Sequence, residues 1–378
     1  MRVVGHLVGL FVACMVCHGE LAAMRPPAHR LTGYYLTIAL GGAAGGVFVG
    51  ALAPAIFPAL YELPLALCAA AALAILVGRC RALPLDGQGR TILAIAGILW
   101  LGMAGWAAYQ AVADARGAIV QVRNFYGALQ VLDLPGANGV PATRRLMHGT
   151  IEHGVQIAAS GRAMEPTAYY SRASGVGLAL RVLERAGPVR VGVIGLGAGT
   201  LAAYGRAGDD FRFYEIDPQV AEIARRDFSF LRASAARTNI VLGDGRLRPE
   251  AEPARIFDLL VVDAFSGDAI PVHLLTQEAF ALYARHLAPR GVIAVHVSNQ
   301  YLDLVPVVVA AAERLHLTAR HVANAGDPAA AVNPSDWVLV ADAGFFMNPN
   351  LAASHAVPSP DAAAAWTDDY SNLWRRLK

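Results

Sequence analysis

The pattern of hydrophobic and polar positions divides the chain into an apolar first part and a mixed second part. A helix needs about 20 apolar residues to cross the hydrocarbon core of a bilayer. Of four apolar stretches, the second and fourth meet this length, the third does so only if it includes Glu62, and the first predicts a short helix. The pattern therefore predicts a transmembrane helical region over residues 1–115, with apolar segments at roughly 3–17, 34–57, 59–78 and 91–112.

A different pattern follows this region. Short runs that mix β-branched, aromatic and polar residues are typical of strands, and they occur at 118–122, 125–134 and around 149–158. The turn residues PGANG separate two of these runs. The pattern predicts a small β domain over residues 116–165.

From about residue 166, apolar strands alternate with amphipathic helices. This alternation favours an α/β fold with a parallel, doubly wound, Rossmann-like sheet. Pro218 and Thr276 suit the starts of two of its helices. The predicted domain covers 166–345 and leaves a C-terminal tail at 346–378. Its predicted strands are VRVGVIG (189–195), FRFYEID (211–217), NIVLGDGR (239–246), FDLLVVDAF (257–265), GVIAVHVSN (291–299) and WVLVAD (337–342).

Composition and charge narrow the classes of function. Hydrophobic residues make up 56% of the chain and charged residues 16%, a balance that fits a membrane region joined to a globular one. A net charge of +2 gives no reason to expect nucleic-acid binding. Only His148 and His153 have compact metal-ligand spacing on one predicted element, and zinc sites usually need three or four ligands, so we predict no metal site.

Arginines near the apolar segments bear on orientation. Arg25 and Arg30 follow the first segment, while Arg79, Arg81 and Arg90 follow the third. The positive-inside rule holds both loops in the cytoplasm, which places the C-terminal domain outside it if all four segments span. The chemistry below indicates a cytoplasmic domain. The two indications agree only if one segment does not span, and the first and third are the candidates.

The first candidate site follows the strand at 189–195. Gly195, Gly197 and Gly199 form a G-x-G-x-G turn before a predicted helix, where glycines let a ligand approach the backbone. The dinucleotide fingerprint has its third glycine one place later, where this chain has Thr200. This mismatch counts against NAD.

Acidic residues end the next two strands. Glu215 suits hydrogen bonds from ribose hydroxyls, and Asp244 suits an adenine amino group. Asp217 and Gly245 belong to the same two motifs, FYEIDP and GDGR. Since the carboxyl ends of parallel strands share one edge of a sheet, these features predict a crevice for an adenosyl ligand.

The motifs VIGLGAGT, FYEIDP, GDGR and VVDAFSGDAIP resemble, in order and spacing, the spermidine synthase family of aminopropyltransferases. The likeness covers the second half nearly end to end. Together with HGELA (18–22) and LTGYYLTIALGGAAGG (31–46), it is similar to membrane-fused bacterial members, which implies a multi-pass protein of the bacterial inner membrane. The resemblance implies decarboxylated S-adenosylmethionine as donor, an amine such as putrescine as acceptor, and methylthioadenosine as product.

The resemblance assigns roles to the two carboxylates of VVDAFSGDAIP. Asp263 matches the family's catalytic aspartate, and Asp268 matches the second acid of the same loop. An ammonium ion has no lone pair and cannot attack carbon. A carboxylate at the strand end can attract the amine, orient it and accept its proton.

Three further positions extend the resemblance to the amine channel. Gln156 matches the family's channel glutamine, and Tyr169 and Tyr170 match its channel tyrosine, although no acid follows them here. The segment TDDY (367–370) is a candidate for the missing charge or is a loop or helix cap. Ala198 stands where the family has an aspartate that binds the donor's amine.

These observations predict an aminopropyltransferase-like enzyme. Two alternatives stay open, a methyltransferase that uses ordinary S-adenosylmethionine and a non-catalytic membrane protein that senses an adenosyl ligand. The expected partners are a small amine, the membrane and, as an open possibility, a second copy of the chain in a homodimer.

Overall fold

The computed structural model describes residues 2–81, 87–254, 257–265, 271–360 and 365–378. The chain forms two compact units, Met1–Ala128 and Leu129–Lys378.

The first unit is helical and ends in a strand. Among its described residues, four helical segments are long and apolar enough to cross a membrane, namely Gly5–Ala23, Ala28–Ile56, Glu62–Cys80 and Gly87–Ala113. A π-helical turn, Phe48–Leu52, continues the second of these helices. The elements are α1 (Arg2–Ala23), α2 (Leu31–Val47), α3 (Ala53–Ile56), α4 (Glu62–Arg81), α5 (Gly87–Ala115) and strand β1 (Ala118–Asn124).

Two details correct or explain the predicted membrane segments. The prediction of a short first helix is wrong, because α1 has 22 residues and continues through HGELAA, which contains good helix formers. Glu62 lies at the first position of α4, where Arg123 of β1 binds its carboxylate and donates a second hydrogen bond to the carbonyl of Ala59. The charge of the third segment is therefore paired at the end of the helix.

Three antiparallel strands follow, β2 (Gly127–Leu134), β3 (Thr143–His148) and β4 (Ile151–Ile157). The pattern did not predict β3, since its sequence TRRLMH carries two arginines. Arg144 binds Asp133 and Arg145 binds Glu152 across the sheet. Leu146, the next residue of the strand, is fully buried.

In the part of the second unit that the structure describes, eight strands form one sheet in the order β12-β10-β11-β9-β8-β5-β6-β7. The five strands β5 to β9 are parallel in the order 3-2-1-4-5, which confirms a Rossmann-like α/β fold. The strands are β5 (Arg190–Ile194), β6 (Asp210–Glu215), β7 (Arg237–Leu242), β8 (Phe257–Val262), β9 (Leu287–His296), β10 (Thr318–Asn324), β11 (Ser335–Ala341) and β12 (His355–Ala356).

The helices of this domain are α6 (Gly175–Leu183), α7 (Pro218–Arg226), α8 (Phe230–Ala233), α9 (Leu247–Glu250), α10 (Gln277–Arg285) and α11 (Val305–Arg314). The predicted starts are confirmed, because Pro218 begins α7 and the Thr276 hydroxyl accepts from the Ala279 N–H to cap α10. The stretch after the glycine turn forms only a 3₁₀ helix, Thr200–Tyr204, rather than an α-helix.

The far side of the sheet differs from the all-parallel prediction. β11 runs antiparallel to both β9 and β10, and β12 adds a short antiparallel edge. The sequence did not predict β10. Most residues of this strand are half-buried near the edge of the sheet, so they show no clear pattern of apolar and polar positions. An antiparallel edge on a largely parallel sheet is common in α/β folds.

Candidate active site

The glycine turn brings three parts of the chain into contact. Gly195 and Gly197 have φ values of 99° and 54°, which favour glycine. A Cβ at Gly195 would overlap the carbonyl oxygen of Asp263, and one at Gly197 would overlap that of His153. Gly199 shares the positive φ, at 81°. The sequence keeps glycine here because the turn packs directly on the β8 loop and on β4.

Glu215 ties the end of β6 to this turn. Its carboxylate is buried and accepts hydrogen bonds from the N–H of Leu196 at 3.0 Å and from the N–H of Asp217 at 2.9 Å. Burial raises the pKa of Glu215 to about 7, against the opposing effect of these N–H groups. A carboxylate has about four lone-pair sites, so this one retains capacity for ribose hydroxyls.

Asp217 and Asp244 are held by backbone N–H groups. Asp217 caps α7 by accepting from the Gln219 N–H at 2.8 Å. Asp244 accepts from the N–H groups of Arg246 and Leu247 at 2.8 and 2.9 Å, and its other oxygen lies 2.9 Å from Nε2 of His273. Burial acts to raise the pKa of Asp244, but these hydrogen bonds prevail and lower it.

The GDG turn packs on the neighbouring strand. A Cβ at Gly245 would overlap the side chain of Ile194 at the end of β5. The turn that carries Asp244 and the glycine turn therefore lie together at the carboxyl edge of the sheet, where folds of this kind bind ligands.

Asp263 follows the last residue of β8, and its neighbour on the next strand is His296. Val262 pairs with Val295 in the parallel β8–β9 register, so the following residues of both strands share one face. The carboxylate of Asp263 is held at both oxygens. Oδ1 lies 2.7 Å from Nδ1 of His296, and Oδ2 accepts from the hydroxyl of Tyr170.

Aromatic rings enclose this carboxylate. His296 stacks on Tyr169 and on Trp337, with ring centroids 4.5 and 4.7 Å apart, and Trp337 is also its cross-strand partner on β11. Burial, with the nearby charge of Asp263, raises the pKa of Tyr169 and Tyr170 well above the usual range. Tyr170 is therefore a neutral donor to Asp263.

β4 contributes the wall next to the glycine turn. Burial lowers the pKa of His153 to about 4, an effect opposed by the charge of Asp263, so its imidazole is neutral at pH 7. The carbonyl of His153 accepts from the N–H of Ala198 at 3.3 Å. The side chain of Ala198 is buried against Gly154, where a Cβ would overlap it.

Other predicted residues lie elsewhere or are outside the described residues. The Gln156 amide donates to the Ala163 carbonyl at 3.0 Å and to Ser229 Oγ at 2.6 Å, so it joins β4 to the loop before α8. In TDDY, Asp368 binds Arg246, beside the Asp244 turn. Asp268 lies outside the described residues. Among those described, no three His, Cys, Asp or Glu form a group that could hold a metal ion.

Three residues of the site carried no motif that indicated them, namely His296, Trp337 and Ser298, whose Oγ lies 2.8 Å from Nε2 of His296. His296 ends β9 just as Asp263 follows β8, so the rule that gathers ligand-binding residues at the carboxyl edge applies to both. Trp337 had no such signal, because its position depends on the antiparallel direction of β11.

Comparisons with known proteins bear on this arrangement. No protein-family model matches the chain. Polyamine aminopropyltransferase from Vibrio vulnificus is 33% identical over 113 residues, covering 28% of this chain and 36% of that protein. Polyamine aminopropyltransferase from Mycobacterium tuberculosis is 37% identical over 94 residues, covering 23% of this chain and 18% of that protein. Over these stretches the chain is similar to polyamine aminopropyltransferases.

Among solved structures, spermidine synthase from Thermotoga maritima has 16% identity and a TM-score of 0.44, covering 59% of this chain and 72% of that one. The chain spans about a third of the length of the Vibrio relative and less of the mycobacterial one.

Proposed function

We propose that this chain transfers an aminopropyl group from decarboxylated S-adenosylmethionine to putrescine or a related amine, with release of methylthioadenosine. One observation carries the proposal. Asp263, whose carboxylate is fixed by Tyr170 and His296, packs its backbone carbonyl against Gly195 of the glycine turn at the carboxyl edge of the sheet. A base for an amine thus adjoins a crevice suited to an adenosyl group.

The residues on each side have separate tasks. Glu215 and Asp244 suit the ribose hydroxyls and the adenine amino group, and the glycine turn lets the donor approach the backbone. Asp263 attracts the amine, orients it and accepts its proton. The amine nitrogen then attacks the methylene carbon next to the sulfonium, the carbon–sulfur bond breaks, and its electron pair stays on sulfur in methylthioadenosine.

A methyltransferase is the second candidate, and Ala198 favours it. A buried methyl group in the glycine turn gives no counter-charge for a decarboxylated donor. The third candidate is an adenosyl-ligand sensor without turnover. No metal takes part in any of these schemes.

Mass spectrometry of products tests the proposal. The full chain, in detergent or lipid, is incubated with each donor form and a panel of amines. Methylthioadenosine together with an aminopropylated amine is the expected result. Methylated product with S-adenosylhomocysteine would support the methyltransferase, and ligand binding in calorimetry without any product would support the sensor.

We also propose that residues 1–115 anchor the protein in the membrane through several spans. Residues 116–165 then form the small β domain and residues 166–345 the nucleotide domain. We propose that both of these domains face the cytoplasm. The lengths of the four apolar helices support the anchor. Reporter fusions to the C-terminus test the side. Activity of a periplasm-dependent phosphatase would contradict a cytoplasmic domain, and fluorescence of a cytoplasm-dependent protein would support it.

Light scattering of the purified chain would decide between a monomer and a homodimer.

A further inference from the structure

Three side chains form a continuous line of hydrogen bonds that ends at the proposed base. Asp263 Oδ1 lies 2.7 Å from His296 Nδ1, and His296 Nε2 lies 2.8 Å from Ser298 Oγ. The N–H of Asp336 donates to the same Ser298 oxygen at 2.8 Å. Both nitrogens of a buried imidazole are therefore engaged, and nothing in the proposed transfer uses them directly.

The partners determine the tautomer of His296. With an ionised Asp263, a proton on Nδ1 makes a favourable hydrogen bond, whereas a bare Nδ1 would face an oxygen that also only accepts. Ser298 then donates its hydroxyl proton to Nε2 and still accepts from the Asp336 N–H. Every group in the line is satisfied when the imidazole carries a proton on Nδ1. The hydrogen bond on one ring nitrogen commonly fixes the state of the other.

The surroundings fix the imidazole plane. Tyr169 and Trp337 stack on it at interplanar angles of 24° and 22°. Trp337 also donates from Nε1 to the carbonyl of Tyr169 at 3.1 Å, which ties the two rings together. The ring of His296 therefore cannot turn without displacing a fully buried tryptophan.

The loop that carries the tyrosines is also held in place. Ala168, just before them, has a φ of 50°, a costly value for alanine. Two backbone hydrogen bonds hold it there, from the Ala168 N–H to the Ala331 carbonyl and from the Asn333 N–H to the Ala168 carbonyl, at 2.8 and 3.0 Å. Strain of this kind persists where surrounding contacts over-determine the conformation.

We propose that His296 is a positioning residue for Asp263. With its proton on Nδ1, it fixes one carboxylate oxygen while Tyr170 fixes the other, so the lone pairs left for the incoming amine are held in fixed directions. This inference rests on the proposed transfer for its consequence in catalysis. Its structural core, the Nδ1–H tautomer bonded to Asp263, stands independently of which reaction the chain performs.

Two substitutions separate positioning from packing. The amide nitrogen of asparagine can reach the place of Nδ1, and that of glutamine the place of Nε2. His296→Asn can therefore still donate to Asp263, whereas His296→Gln can only contact Ser298. We expect His296→Gln to lower kcat by about 100-fold, the scale of a misplacement of about 1 Å, with little change in the KM of either substrate. The kcat of His296→Asn should be at least about tenfold higher than that of His296→Gln. His355→Gln, at an exposed site on the edge strand β12, is the matched control.

NMR of the chain labelled with ¹⁵N-histidine provides a readout that needs no turnover. The expected spectrum shows His296 protonated on Nδ1, and Asp263→Asn should alter that signal. An Nε2–H tautomer would overturn the inference even in an active enzyme. Equal kcat in the asparagine and glutamine variants would do the same. If wild-type protein forms no transfer product yet shows the Nδ1–H tautomer, the proposed function fails while the contact stands.

Discussion

The two ends of the candidate site are built in different ways. At the adenosyl end, backbone N–H groups within a few residues or in the adjacent turn hold both oxygens of Glu215 and one oxygen of Asp244, whose other oxygen lies 2.9 Å from Nε2 of His273. At the amine end, Asp263 is held by the side chains of Tyr170 and His296, which are 93 and 33 residues away in sequence. The first end depends on local motifs, and the second on the packing of the whole sheet.

This difference has a consequence for substitution. A carboxylate held by backbone N–H groups tolerates changes in distant side chains, since the main chain remains. A carboxylate held by side chains loses its orientation when any of them changes. We therefore expect the adenosyl end to govern binding of the donor and the amine end to govern turnover.

The largest expected effect is at the amine end. Asp263→Asn should lower turnover by about 10²–10⁴-fold, the usual contribution of a general base, and leave donor affinity nearly unchanged. Rates come from product analysis and affinities from calorimetry. Asp210→Asn is the matched control, because Asp210 is the first residue of β6 and lies at the end of the strands opposite to Asp263. Turnover within a few-fold of wild type would remove Asp263 from the mechanism.

The second largest effect is expected at the adenosyl end, on the affinity for the donor. Glu215→Ala should weaken the donor by roughly 1.5–3 kcal/mol through lost hydrogen bonds to ribose, without altering the preference among amines. Titration calorimetry measures this change. Glu222→Ala, on the exposed face of α7, should leave affinity unchanged. If both variants bind the donor as wild type does, the ribose does not contact Glu215.

A smaller effect follows from the protonation of Glu215. Its pKa of about 7 means that the ligand-free carboxyl is mostly neutral at pH 6 and mostly ionised at pH 8. Ribose hydroxyls donate to the ionised form, so donor affinity should rise about tenfold from pH 6 to pH 8 and then level off. Glu215→Gln should remove the slope. A wild-type affinity that is flat over this range would contradict the contact.

The same difference explains what the sequence could predict. The glycine turn, Glu215 and Asp244 carry their signal in short motifs at strand ends, and the structure places them together at the carboxyl edge. Asp263 also follows the end of a strand, but its catalytic role came from the resemblance to the spermidine synthase family and stays a prediction. Trp337 was not predicted, because its place beside His296 depends on β11 running antiparallel, and no local pattern encodes strand direction.

The smallest expected effect concerns the junction of the two ends, at Ala198. Ala198→Asp adds a carboxylate to the glycine turn, near the expected place of the donor's side chain. It should favour the decarboxylated donor over ordinary S-adenosylmethionine, whose own carboxylate it repels. At about 6 Å in a partly solvated crevice, the interaction is worth roughly 1 kcal/mol, or about fivefold in relative affinity. Ala198→Asn, equal in size and neutral, controls for the crowding against Gly154 that any larger side chain must cause.

Calorimetry with both donors gives, for each variant, the ratio of the affinity for the decarboxylated donor to the affinity for ordinary S-adenosylmethionine. Because asparagine and aspartate disturb Gly154 equally, any difference between them is due to charge. A shift toward the decarboxylated donor in the aspartate variant alone would place position 198 beside the donor's side chain. If the two variants show the same ratio, the side chain at 198 acts only through its packing on β4. Ala198 would then give no reason to prefer methyl transfer over aminopropyl transfer.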